Sequence, residues 1–262
     1  MASPARPAGR RGRPPIAAGV VDTGARSIVS PLARRMGVEL AGVLPSVVHL
    51  PPRGFVDQGE LECCVSCALA ATVEVLYGDP PRAPLFHYHA VRAGHLVGMT
   101  IEDGIAALRR AGICDQPRHP APFTPEGART APSAEARREA GGWRDTRLRT
   151  SESITGPLPQ LFDPQREVEW KRTLAEGRPI LIEFELTEAY GPGLKRLDRP
   201  GKGTGRLHAA VVIGYEDRER AFIVHDSRGP EWFVGGQWWL PYEVALTPLV
   251  RRAFAPRRPR GG

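Results

Sequence analysis

A glutamine, a cysteine, a histidine and an aspartate stand along this chain in an order that suits nucleophilic chemistry. Gln58 lies six residues ahead of Cys64 in Asp57-Gln58-Gly59-Glu60-Leu61-Glu62-Cys63-Cys64, and Cys64 opens the small, apolar run Val65 to Val75. A thiol in the first turn of a helix feels aligned backbone N–H groups and the positive end of the dipole, which favour thiolate over thiol. A Gln amide just upstream supplies a neutral N–H donor that can face the nucleophile and steady the oxyanion formed when the thiolate attacks a carbonyl. Downstream, His208 opens the apolar strand Ala209 to Tyr215, and a second strand, Ala221 to His225, delivers Asp226 at its end. The three groups then act as nucleophile, base and orienting acceptor.

Elements of two kinds must position them. The main helix runs from Cys63 to about Tyr77 and is ended by Gly78-Asp79-Pro80-Pro81. Helical patterns follow over Pro84 to Ala93 and Ile101 to Ala111, the second stopped by Gly112. Residues 116–165 are rich in Pro, Ala, Arg and Ser and read mostly as surface loop, with one helix around Ser133 to Ala140 and a crossing strand near Arg147. Glu167 to Glu176 reads as a helix closed by Gly177, followed by strands over Ile180 to Leu186, His208 to Tyr215, Arg220 to Asp226 and Gln237 to Leu240. A helical half followed by a sheet half specifies an α+β fold of two lobes. The Gly- and Pro-rich loop from Thr187 to Gly205 enters His208 directly, which predicts that it borders the cleft.

Five further stretches give the chain a resemblance to the papain-like (C1) cysteine peptidases, in particular the compact bacterial, non-secreted type. Asp57-Gln58-Gly59 is similar to that family's Asp-Gln-Gly opening, and Pro84-Leu85-Phe86-His87-Tyr88 to its Ser-Pro-Leu-Phe-Leu-Tyr segment. Glu102-Asp103-Gly104-Ile105 through Ala111-Gly112-Ile113-Cys114 resembles the helix and Tyr-Gly-Val-Cys-Pro turn that follow. Asp226-Ser227-Arg228-Gly229 with Trp232 looks like Asn-Ser-Trp-Gly-x-x-Trp, and Trp238-Trp239-Leu240-Pro241-Tyr242-Glu243 like the Phe-Trp-Leu-Pro-Tyr-Glu ending. The long separation of Cys64 from His208 belongs to the same resemblance.

The resemblance implies a papain-like two-lobed fold, with an N-terminal helical lobe at about residues 53–115, a C-terminal antiparallel β-sheet or barrel lobe at about 145–250, and the active site between them in a domain of residues 21–250. It implies a cysteine-type peptidase acting on peptide or protein substrates without metal or organic cofactor. Cys64 would attack the scissile carbonyl, His208 take and return the proton, Asp226 orient the imidazole, and Gln58 with the Cys64 backbone N–H form the oxyanion hole. Glu62, Cys63, Leu207 and Arg228 would line the substrate cleft.

Cys64-Val65-Ser66-Cys67-Ala68 also imitates the secreted family's Cys-Gly-Ser-Cys-Trp, which would make Cys67 the nucleophile. The residue six positions before Cys67 is Leu61, which has no oxyanion donor, so Cys64 is the better assignment. Several positions depart from the family pattern. Glu62 stands for a Gly that lines the cleft, Val65 for a large aromatic, Asp226 for Asn, Arg228 for a Trp that shields the His–Asn bond, and Leu207 for a Gly before the histidine. Two rival readings stay open: a catalytically silent papain-like scaffold that binds a protein partner through the same cleft, and a papain-fold acyltransferase or deamidase.

Other groups carry less. His87 and His89 sit two apart on a helix, point to different faces and make a poor metal pair. Cys64 and Cys67 fit the spacing of a redox dithiol, but no βαβ context accompanies them. His225 beside Asp226 is sent to the opposite face by strand alternation. The net charge is +7 over 262 residues. Nine of the 36 bases sit in residues 1–14 and 251–262 with no acid beside them, leaving 27 bases against 29 acids, a net of −2, for residues 15–250. Residues 1–20 are therefore expected to be a disordered basic tail and 251–262 a second one, dispensable for the cleft, and nucleic acid is not an expected partner. Neither a signal-peptide core nor a membrane-length apolar run occurs, and three of the four cysteines crowd into residues 63–67, too close to close useful disulfide loops. Reduced cysteines and a cytoplasmic location are the expectation.

Overall fold

Apolar residues are too dense in the helical half for surface helices, and the chain buries them. This computed structural model describes residues 19–21, 44–78, 80–144, 156–157 and 166–256. Helix α1 (Cys64–Tyr77) buries every residue from Val65 to Glu74, as a nearly continuous run of small and apolar side chains requires. It ends at Gly78, whose φ of 61° is left-handed and suits a residue without Cβ. Helix α2 (Pro84–Arg92) starts on a proline, whose missing N–H costs nothing there. Helix α3 (Ile101–Ala111) is capped by the Thr100 hydroxyl accepting from the Asp103 N–H, with acids in its first turn and arginines in its last.

These three helices are stapled by His87. Its Nδ1 lies 2.9 Å from Ser66 Oγ on α1 and its Nε2 2.9 Å from the Gly104 carbonyl on α3. A carbonyl only accepts, so Nε2 carries the hydrogen and Nδ1 accepts from Ser66. Burial pushes this imidazole down to about 4, so it is neutral. A Cβ at Gly104 would fall 2.8 Å from Leu69 and Val65, which shows how closely α3 crosses α1. His87 is thus a core residue, and no cluster of three or more metal-binding side chains occurs among the described residues. Helices α4 (Pro125–Arg129) and α5 (Ala134–Trp143) complete the half, α5 running three residues past the expected Ala140.

The other half is an antiparallel sheet. Its strands are β1 (Gly19–Val21), β2 (Val47–His49), β3 (Gly156–Pro157), β4 (Ile180–Thr187), β5 (Gly203–Glu216), β6 (Ala221–His225), β7 (Gln237–Pro241) and β8 (Val250–Ala255). They run in the order β1-β2-β5-β4-β8-β3, with β6 added to β5 and β7 to β6. Helices α6 (Arg166–Ala175) and α7 (Tyr242–Ala245) join this half. Along β5, Ala210 and Val212 pack with Trp170, Phe184 and Trp238, whereas Ala209, Val211 and Ile213 pack with Leu69 and Ile105 of the helical half. Both faces of β5 are core, which is why its sequence reads as an unbroken apolar run.

Three boundaries need correction. β5 begins at Gly203, five residues before His208, because β4 continues beside it to Thr187; the loop read as 187–205 is therefore 188–202. The domain also does not end at residue 250. Val250–Ala255 form β8, hydrogen-bonded to β4, with Val250, Ala253 and Ala255 in the core. Arg251 pairs with Glu185, and Arg252 lies 2.8 Å from Glu102 and 3.6 Å from Glu183, so two of the five arginines that suggested a tail are a strand's side chains meeting carboxylates; residues 257–262 lie outside the described residues. At the other end, residues 19–20 belong to β1, which pairs with β2. Residues 1–18 and the strand expected near Arg147 lie outside the described residues. Deletion of residues 250–262 is expected to abolish cooperative thermal unfolding, since β4 loses a hydrogen-bonded neighbour and the core three side chains; an unchanged melting curve would show β8 to be dispensable.

Candidate active site

Helix α1 meets the sheet where β5 has an open edge. Strand β6 pairs with β5 only from Val211 onward, so the backbone of Ala209 and the side chain of His208 remain free to face the first turn of α1. Both hydrogen-bond the Cys64 thiol. His208 places Nε2 2.9 Å from Asp226 Oδ1, which leaves Nδ1 as the ring nitrogen for the sulfur. Cys64, His208 and Asp226, the residues singled out in the sequence, thus lie together, carried by α1, β5 and the segment that leaves β6.

The three groups set one another's charge. Burial pushes the Cys64 thiol up, but the hydrogen bond and charge of His208, with the Ala209 N–H, outweigh it and hold the thiol below its ordinary value. Burial pushes His208 down, yet the Asp226 charge and hydrogen bond, followed by Cys64, carry it to about 10. Asp226 is pushed up by burial and more strongly down by His208, Trp238 and Tyr190, so it stays ionised. The arrangement favours a thiolate–imidazolium pair over thiol and neutral imidazole. Aromatic rings wall it off: Phe184 and Tyr190 lie 5.5 and 5.7 Å from the His208 ring.

Gln58 is 2% exposed and both ends of its amide are held. The Leu61 carbonyl, 2.6 Å away, can only accept, so it fixes Nε2; the Ser227 hydroxyl donates to Oε1 over 2.5 Å. One amide N–H is then left for another acceptor. The segment carrying Gln58 is itself anchored to α1, because Glu74 accepts from the Arg53, Gly54 and Arg82 backbone N–H groups. It is also bound to the segment after β6: Gln58 N–H donates to the Ser227 carbonyl (2.8 Å), Gly229 N–H to the Val56 carbonyl (2.9 Å), and Arg228 Nη1 to the Gly59 carbonyl (2.7 Å).

Of the residues expected to line the cleft, Glu62 is exposed and its Oε2 accepts from the Gly98 N–H over 2.9 Å, spanning from the nucleophile turn to the loop before α3. Leu207 is 52% exposed on the free part of β5. Arg228 lies over Trp232 and also reaches the Tyr190 oxygen. Cys63 is a correction. It is fully buried with Leu61 and Tyr88, its sulfur 3.8 Å from that of Cys67, so its side chain faces the helical core and only its backbone is near the cleft. Cys67 is buried beside it, and burial together with the neighbouring Cys63 and Cys64 sulfurs pushes its thiol well up. His225 lies against Phe55, the two rings tilted with centroids 5.3 Å apart; burial pushes it down to about 4.

Two site residues were not singled out in the sequence. The Tyr190 hydroxyl and the Trp238 indole N–H each lie 3.0 Å from Asp226 Oδ2. Tyr190 belongs to the loop expected to border the cleft, which was the available signal for it. Nothing in the sequence around Trp238 marks which of the adjacent tryptophans faces inward.

Comparison with known proteins bears on the fold. The model of the Peptidase_C39 like family matches residues 147–239, a stretch that holds His208 and Asp226. An uncharacterized peptidase C1-like protein of Acanthamoeba polyphaga mimivirus is 25% identical over 229 residues, covering 80% of this chain and 72% of its own. Xylellain, a cysteine protease from Xylella fastidiosa, superposes with a TM-score of 0.68 at 24% identity over 93% of this chain and 95% of its own. The digestive procathepsin L 3 of Tenebrio molitor larval midgut gives 0.62 at 15% identity over 84% and 72%. The resemblance read from the sequence thus extends through the architecture, and the chain has the fold of the papain-like cysteine proteases.

Proposed function

We infer that this protein is a cysteine-type peptidase. The observation that carries the reading is the chain of contacts from Cys64 to His208 to Asp226 at the junction of the two halves. The Cys64 thiolate attacks the scissile carbonyl carbon, and the carbonyl electron pair moves to oxygen, where the Cys64 backbone N–H and the remaining Gln58 N–H receive it. His208 passes its Nδ1 proton to the amine as the C–N bond breaks, leaving a thioester. Water then attacks, giving its proton to His208, and the C–S bond breaks to restore the thiolate and release the acid.

The test is the pH dependence of alkylation of Cys64 and of cleavage of a short peptide. Thiolate exists only above the lowered thiol value and imidazolium only below about 10. Both rates are expected to rise on the acid side of the ordinary thiol range, and cleavage to fall as the pH passes about 10. Alkylation confined to the alkaline range of an ordinary thiol would overturn the ion pair. Alkylation without cleavage of any peptide would favour the silent scaffold, and product mass distinguishes hydrolysis from acyl transfer or deamidation.

Glu62 sets specificity in this reading. Its carboxylate clasps Gly98 across the near wall of the cleft, so it narrows the pocket and offers negative charge to a basic side chain. Glu62→Gly is expected to lose any preference for Arg or Lys, or to accept bulkier residues, when a peptide library is cleaved by both forms. Identical profiles would remove Glu62 from the pocket. Among the described residues no helix is long and apolar enough to cross a membrane. Four free cysteines suit a reducing compartment, so we place the protein in the cytoplasm, which fractionation checks.

A further inference from the structure

Every acceptor site of Asp226 is taken. Oδ1 accepts from His208 Nε2 (2.9 Å) and from the Ser227 backbone N–H (2.8 Å). Oδ2 accepts from the Tyr190 hydroxyl and the Trp238 indole N–H, each at 3.0 Å. An ionised carboxylate has about four lone-pair sites and no hydrogen to donate, so four donors match it completely at a residue 2% exposed. The donors are not equivalent. A hydroxyl can turn round and accept; an indole N–H and a backbone N–H cannot.

A carboxamide in this place meets a contradiction. With its oxygen toward His208 and Ser227, its NH₂ group faces Tyr190, which can rotate to accept, and Trp238, which cannot. Turned over, it presents NH₂ to the Ser227 N–H and to His208 Nε2, and the imidazole must give up that proton to accept. Either way a buried donor faces a donor, a costly arrangement.

We propose that Tyr190 and Trp238 are positioning residues that make the third member of the triad a carboxylate, with Trp238 the group that excludes a carboxamide. The proposal rests on the reading of Cys64 and His208 as the catalytic pair. Trp238 is held for this role on β7, paired in register with Val224 and packed against Phe184 and Phe233. Tyr190 leans on the His208 ring and on Phe233, and Arg228 reaches its oxygen, which strengthens the hydroxyl as a donor. The titratable and charged groups around the carboxylate are His208 from β5, Cys64 from α1, His225 from β6, and Tyr190 and Arg228 from the two loops. His225 is neutral, so Asp226 supplies the negative charge that keeps His208 protonated.

The experiment compares full-length wild type, Asp226→Asn, Trp238→Phe and the double variant by the rate of iodoacetamide alkylation of Cys64 across pH. Asp226→Asn is expected to slow alkylation at mildly acidic pH by roughly 10- to 100-fold, the range for a buried unsatisfied donor. Trp238→Phe alone should cost only a few-fold, whereas added to Asp226→Asn it should recover roughly tenfold, because the opposing N–H is gone. Tyr190→Phe added to Asp226→Asn should recover nothing, since the hydroxyl can already turn. An Asp226→Asn profile equal to wild type, or a double variant no faster than Asp226→Asn, overturns the proposal. Should wild-type Cys64 fail to alkylate, the catalytic reading fails, and the indole N–H proton resonance of Trp238 still decides the positioning: it is expected to move upfield in Asp226→Asn, and an unmoved resonance overturns the proposal independently of any activity.

Discussion

Cys64→Ala removes all turnover and all labelling by a cysteine-directed electrophile, whereas Cys67→Ala keeps a measurable rate of both: this is the outcome expected from the two environments. Cys64 stands partly exposed at the start of α1, bonded to His208 and to the Ala209 N–H. Cys67, one turn further on, is 3% exposed, faces Cys63 and is held as a thiol by burial. Alanine leaves no nucleophile at position 64, and no other described thiol lies where His208 can take its proton, since Cys63, Cys67 and Cys114 are all buried. Intact-mass labelling of both variants separates them. A dead Cys67→Ala beside an active Cys64→Ala would reverse the assignment.

Gln58→Ala is expected to lower kcat by roughly 10²-fold or more with little change in KM, the size of effect that follows loss of one oxyanion donor, about 3 kcal/mol. The structure adds a control. Gln58 also ties Ser227 through its Oε1, so Gln58→Ala loosens a tether as well as removing a donor. Ser227→Ala breaks the tether and leaves the amide in place. A loss of rate in Gln58→Ala that Ser227→Ala fails to reproduce belongs to the oxyanion; equal losses in the two would take Gln58 out of the chemistry.

Local chemistry made some of this legible in the sequence. Helix α3 could be read to the residue because Thr100, the acids after it and Gly112 are end signals that act within one turn. His208 and Asp226 could be read because each bounds an apolar run, Ala209 to Ile213 on β5 and Ala221 to Val224 on β6, even though β5 itself starts earlier at Gly203. Cys63 was misplaced for a geometric reason: it stands just ahead of the helix, at the N-cap with φ −111° and ψ 17°, and there its sulfur turns inward to Cys67 although its sequence neighbour is the nucleophile candidate. Strand β8 was hidden because its arginines find their carboxylates on Glu185, Glu102 and Glu183, partners far away in sequence. The donors to Asp226 were hidden likewise, since nothing local tells Tyr190 or Trp238 that a carboxylate will arrive beside them.

The bonds joining residues 56–59 to residues 227–229 have a mechanical consequence. They lie along one margin of the cleft, linking Val56 to Gly229, Gln58 to Ser227 and Gly59 to Arg228. The two halves are therefore bound together like the covers of a book along its spine. The amide of Gln58 and the carboxylate of Asp226, which come from different halves, are thereby held in register by bonds made within one or two residues of each.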